Sequence, residues 1–106
     1  MVTVAVEARF NVYGTCHSGD VVLVRADDGT FNAAKVVLHF SAAGLNRTFV
    51  HIWTLKRARR FSAHSEWNTT EDLVMIDTAA ILDVVIYRLV GDGSLAEVLL
   101  PCEFRL

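Results

Sequence analysis

The sequence predicts a mostly β domain, a small barrel or sandwich of about seven short antiparallel strands, on three observations. Valine is the commonest residue, with 15 copies, and 8 threonines and 4 isoleucines add to the β-branched load. Such side chains lose χ1 freedom on a helix and pack well on a pleated surface. Apolar and polar residues alternate over long stretches, which is the period of a strand. Turn signals recur about every ten residues, the spacing of an all-β fold.

Val2, Val4, Val6, Ala8, Phe10 and Val12 alternate with Thr3, Ala5, Glu7, Arg9 and Asn11. This reads as one half-buried strand ending at Gly14. A loop over 14–20 leads into the apolar run Val21-Val22-Leu23-Val24. Asp28-Gly29 lies between that run and Phe31, and Asp-Gly between apolar runs is a strong hairpin signal. Residues 31–41 carry two readings. As a strand they put Ala34, Val36, Leu38 and Phe40 on one face. As a helix, Thr30 caps the start and Gly44 the end, with Ala33, Ala34, Ala42 and Ala43 favourable inside. The strand is preferred, since Val36-Val37 and Phe40 suit the alternation and the preceding hairpin invites it.

Arg47 to Leu55 is a strand with Val50 and Ile52 facing one way. Residues 62–72 are the most polar stretch and read as a surface loop. Leu73 to Ile76 is a short strand, and Asp77 to Ala80 suits one capped helical turn. Leu82 to Val90 prefers sheet, Gly91-Asp92-Gly93 turns the chain, and Leu95 to Leu100 follows. Pro101 marks an edge or an end, because it cannot donate to a ladder. The alternative architecture is α+β, with helices at 31–43 and/or 78–90.

The 106 residues suit a single soluble domain. Apolar residues make up 53% of the chain with glycine left out of the count; soluble domains average about 45–50% with glycine included. A small core hides such a surplus poorly, so a subunit interface is expected to take it up, ahead of a pocket. The net charge of −2 gives no general pull toward nucleic acid or anionic membrane. No apolar run approaches the ~18 residues of a membrane span. The first residues lack the basic leader of a signal peptide, so the cytoplasm is the expected setting. Cys16 and Cys102 are then expected as free thiols. The sequons at Asn46 and Asn68 read as chance.

The sharpest local deduction concerns a hairpin over 35–53. With its turn centred near Gly44, Lys35 pairs with Trp53, Val37 with His51, His39 with Phe49, and Ser41 with Arg47. All eight then share one face, opposite an apolar face of Val36, Leu38, Phe40, Val50 and Ile52. Lys35, Val37, His39, Arg47, Phe49, His51 and Trp53 are therefore the candidate partner-binding residues, with Trp53, Phe49 and Arg47 as anchors. The bland alternative is that this face packs under a loop or another subunit. A one-residue slip in register would undo the arrangement.

Other clusters carry less. His39 and His51 lie diagonally on that face, but zinc needs three or four ligands and no others are in place. Lys56, Arg57, Arg59 and Arg60 form a basic run near aromatic residues, which suits phosphate clamping with base stacking. Equally, the run guards a strand edge against pairing. Cys16, His17, Ser18 and Asp20 are the residue types of a nucleophilic site, yet they sit in one turn, where His17 and Asp20 brace the loop. Asp77 and Asp83 do not read as paired catalytic carboxylates, since each adjoins a strand end. There is no phosphate loop, Rossmann fingerprint or hydrolase elbow.

Gly19-Asp20-Val21-Val22-Leu23-Val24, then Asp28-Gly29-Thr30-Phe31, then Ala34-Lys35-Val36 resembles the opening of SH3-like barrels. It particularly resembles certain bacterial immunity proteins, which neutralise a cognate toxin by binding it. The likeness runs over residues 19–53, and the stretch 56–72 departs from it. It implies a binding module and transfers no binding residues. The expected function is thus a non-enzymatic β module, without cofactor or metal, that self-associates (as a dimer first) or docks a partner protein. The alternatives are a nucleic-acid binder using 56–60, and a small-ligand or enzymatic barrel with an apolar pocket.

Overall fold

The computed structural model describes residues 2–11 and 14–105, and among them the fold is all-β and antiparallel. There are eleven strands: β1 (Val2–Ala5), β2 (Glu7–Asn11), β3 (Gly14–His17), β4 (Val21–Arg25), β5 (Phe31–Ala42), β6 (Leu45–Ile52), β7 (Thr54–Ala58), β8 (His64–Asn68), β9 (Leu73–Asp77), β10 (Ile81–Val90) and β11 (Leu95–Leu99). Nine form one sheet in the order β7-β8-β11-β10-β4-β5-β6-β9, with β1 added to β5 beyond the end of β4. The sheet curls into a half-barrel, where a small barrel or sandwich of about seven short strands was expected. β2 and β3 form a separate hairpin.

The curl explains why Val21 to Val24 is a continuous apolar run. Val21 and Leu23 join an inner core with Trp53, Trp67, Val85 and Val98. Val22 and Val24 join an outer core with Cys16, Val36, Val50 and Ile81, against which Phe10 of the β2–β3 hairpin packs. Both faces of β4 are thus buried, so it shows no polar alternation. The Phe10 ring lies on Gly14, where a Cβ would stand 2.3 Å from the ring tip, so a larger residue there would displace the ring.

Helices at 31–43 and 78–90 are not present. Residues 31–42 are strand β5, and 78–90 is one 3₁₀ turn (Thr78–Ala80) followed by β10. Asp77 does cap that turn, accepting the Ala79 N–H at 3.0 Å. The long strand over 2–12 breaks into β1 and β2 at Val6; Val2, Val4 and Val6 are exposed, and Val12 lies outside the described residues. The polar loop over 62–72 is interrupted by β8. Its inward residues are Ser65 and Trp67, both buried. The Ser65 hydroxyl donates to the Val98 carbonyl (2.8 Å) and accepts the Trp67 indole N–H (2.9 Å), so a polar strand lies in the core without an unpartnered group.

The β5–β6 hairpin departs most from expectation. Its turn is two residues, Ala43 and Gly44, with φ of +52° and +79°. Ala42 therefore faces Leu45, His39 faces Thr48 and Phe40 faces Arg47. A bulge at Val37 then resets the pairing, so that Val36 faces Val50 and Lys35 faces His51. The bulge turns residues 38–42 over relative to 31–36. Leu38 and Phe40 move to the inner face and His39 to the outer, the reverse of the expected arrangement.

Candidate docking site on the open sheet face

The inner face is covered only along part of the sheet. β5 has 12 residues, and β4 pairs with just its first five. The rest of β5, with β1, the first part of β6, and β9, extends past the inner core. Register places Val2 and Val4, Leu38 and Phe40, Arg47 and Phe49, and Leu73, Met75 and Asp77 on that inner face, since facing residues share a side. Stacked Phe40 and Phe49 rings (5.2 Å between centroids) and an Arg47–Asp77 pair at 3.6 Å confirm the arrangement. Val2, Val4, Leu73 and Met75 are 61, 58, 56 and 54% exposed, and Leu38, Phe40 and Phe49 are half-buried. None of the seven belongs to either core. The result is a four-strand apolar face, with Lys35 and His51 at one end and the Arg47–Asp77 pair beside its centre.

Five of the seven candidate partner-binding residues, Lys35, Arg47, Phe49, His51 and Trp53, lie along this inner side, but they do not act alike. Trp53 is buried in the inner core, edge-to-face with Tyr87, and is not a surface anchor. Its N–H donates to the Ala33 carbonyl at 2.8 Å. His51 is half-buried, with Nδ1 3.4 Å from the Asp72 carbonyl. Val37 sits exposed in the bulge, and His39 is buried on the outer side. His39 and His51 are therefore on opposite faces. Val2, Val4, Leu38, Phe40, Leu73 and Met75 escaped the sequence reading as docking residues. One signal was available: the short run 21–24 cannot cover the whole of 31–41, so a part of that strand had to overhang.

His39 anchors a buried polar chain beneath the open face. Its Nε2 lies 3.6 Å from Cys16 Sγ, and its Nδ1 lies 2.7 Å from Thr48 Oγ1, which is 2.8 Å from Thr78 Oγ1. Burial, aided by the Asp20 charge, pushes the Cys16 thiol up to about 11, and burial holds His39 below its ordinary value. Both groups are thus neutral near pH 7, so the pair lacks the thiolate–imidazolium character of a catalytic cysteine. His17 ends strand β3, where a loop over 14–20 was expected; it lies 3.2 Å from Glu7 and donates its backbone N–H to Asp20 at 2.8 Å, bracing the turn into β4.

Lys56, Arg57, Arg59 and Arg60 are all exposed, on the outermost strand β7 and the turn after it. Arg57 stands opposite Glu66, which stands opposite Glu97, which pairs with Arg88 at 2.5 Å. Arg60 lies over the Phe61 ring at 4.9 Å. Between β7, the β4–β5 turn and the C-terminal 3₁₀ turn (Cys102–Phe104) lies a cleft of about 980 Å³, floored by Phe31, Trp67, Leu82 and Phe104. Models of known families, characterised proteins and solved structures were each compared with the chain, and none matches it.

Proposed function

We propose that this chain is a non-enzymatic protein-docking module and that the open face of β1, β5, β6 and β9 is its binding surface. One observation carries the reading: four large apolar side chains, each more than half exposed, flank the half-buried Phe40 and Phe49 on one sheet face, two on β1 and two on β9. Contiguous apolar surface rimmed by charge is the mark of an interaction site, and scattered exposed residues are not. Part of the apolar surplus of the composition sits here, while Phe61, Ile86, Leu89 and Leu99 are exposed elsewhere. The neutral Cys16–His39 pair and the resemblance of residues 19–53 to immunity proteins both favour binding over catalysis.

A second copy of the chain is the first occupant to test. Sedimentation at micromolar concentrations is expected to show an assembly larger than a monomer. Val4→Asp, which puts a charge on the face without touching either core, is expected to weaken it at least about tenfold, roughly 1.4 kcal/mol. A wild-type chain that sediments as a monomer throughout, with Val4→Asp indistinguishable from it, overturns the reading.

The cleft supports a second reading, a site for a small apolar ligand, because its size and aromatic floor suit one. Titration with an apolar fluorescent probe tests it. Leu82→Arg, at the cleft floor, is expected to abolish binding, and equal binding by that variant overturns it.

A further inference from the structure

We propose that a second copy closes the open face by antiparallel pairing of the two β9 strands about a two-fold axis at Met75. This rests on the docking reading above and specifies its geometry. Three observations carry it.

The first is the edge itself. β9 (Leu-Val-Met-Ile-Asp) ends the sheet and contains no lysine, proline or glycine, and its pairing with β6 runs without a bulge. Leu73 and Met75 project to the inner face and Val74, 39% exposed, to the outer, so the edge is apolar on both sides. An unguarded strand of this kind is a template for another strand. β1 is a further edge, but it has only four residues, and Glu7, Ala8 and Arg9 of β2 flank its outer side across a small hollow.

The second observation is self-complementarity. A two-fold at Met75 sets Met75 against Met75, Leu73 against the second copy's Asp77, and Val74 against its Ile76. The central inner row then reads Leu38, Phe49, Met75 and the same three in reverse, apolar throughout. In the adjoining row Lys35, His51 and Leu73 are followed by the second copy's Asp77 and Arg47. Its carboxylate comes two strand spacings, ~10 Å, from His51, with no like charges directly opposed. The same operation at the other edge, β7, sets Lys56 against Lys56.

The third is the curl. Strands paired about an axis normal to the sheet keep the same face on the same side. A second half-barrel added at β9 therefore continues the curl of the first and turns the two open inner faces toward each other. Bare edge and bare face are satisfied by one partner.

Disulfide trapping tests the geometry in a Cys102→Ser background, which removes the exposed native thiol. Facing Cα atoms at the axis stand about 4.5–5.5 Å apart, inside the disulfide range. Residues 73 of the two copies, offset by four positions, stand ~13 Å apart. Met75→Cys is expected to cross-link into a covalent dimer under mild oxidation, and Leu73→Cys to remain monomeric on denaturing gels. Met75→Lys, opposing two ammonium groups on the axis, is expected to weaken association at least about tenfold with the folded monomer retained. A dimer by sedimentation in which position 75 does not cross-link and Met75→Lys has no effect overturns the β9 pairing and leaves docking by the open face standing. A chain monomeric at every concentration overturns both.

Discussion

At one end of the sheet, β7 carries Lys56 and Arg57 on its outermost strand, has a bulge between Leu55 and Arg57, and runs into Arg59 and Arg60. The inner face behind it is packed with Trp53, Trp67 and Val98. At the other end, β9 is unbulged and presents Leu73, Val74 and Met75, and the inner face beside it is uncovered. Charge, twist and irregularity are the devices by which a sheet refuses further strands. β7 carries two charges and a bulge; β9 has no bulge, and its one charge, Asp77, lies at its last residue and pairs with Arg47. On the docking reading proposed above, the two ends have opposite roles: the charged, bulged end discourages a further strand, and the bare end accepts one.

The largest expected effect tests the covered end. Trp67→Ala removes the biggest inward side chain of β8 and empties the Ser65 hydroxyl of its donor. It is expected to lower stability by about 3–5 kcal/mol in urea titrations. Met75→Ala, at the open end, is expected to change the stability of the monomer by no more than about 0.5 kcal/mol. Equal losses would mean that both halves of the inner face are covered within one chain.

Removing the guard should make the two ends alike. Lys56→Val with Arg57→Val is expected to add a second mode of self-association, visible as species larger than a dimer in sedimentation and at least about tenfold tighter than in wild type, roughly 1.4 kcal/mol. Unchanged sedimentation would assign the basic run another role.

A smaller effect is expected from the hairpin that carries the open end. Ala43 holds a φ of +52°, a region where a side chain is strained. Ala43→Gly is expected to stabilise the protein by about 0.5–1 kcal/mol, measured by denaturant midpoint.

The smallest concerns His39, under the open end on the outer side. Burial lowers its affinity for a proton in the folded state, so the unfolded chain protonates first as pH falls. Stability is complete above the unfolded value of about 6.5 and declines below it until folded His39 itself titrates. Asp28, Asp92 and Glu97 are also held below their usual range, by hydrogen bonds from Thr30, Ser94 and Arg88, and their contributions are lost only near pH 4 and below. The denaturation midpoint should therefore drop between about pH 7.5 and 5.5 in wild type and drop less in His39→Phe. Identical profiles would remove His39 as the cause.

Much of the class was legible. The Asp28-Gly29 turn, the strands at 73–76 and 82–90, the capped turn after Asp77 and the apolar surplus all follow from residues near one another in sequence. β8 was not, because its two inward positions are a serine and a tryptophan joined by a hydrogen bond, and no hydrophobic period marks them. The face of the candidate site was also hidden. Primed two-residue hairpin turns favour Asn-Gly or Asp-Gly, and here the pair is Ala43-Gly44. The bulge at Val37 lies among valines that carry no mark of it.

What the sequence determined by itself is the material: strand-forming residues, their local period, a basic run and more apolar surface than one small core absorbs. Only the tertiary structure decided which surface is left bare. Strand side chains alternate sides at every residue, so a single extra residue at Val37 exchanges the inner and outer sets beyond it. That one bulge buries His39 and brings Phe40 beside Phe49 on the open face, an outcome that depends on pairing between strands and is written in neither strand alone.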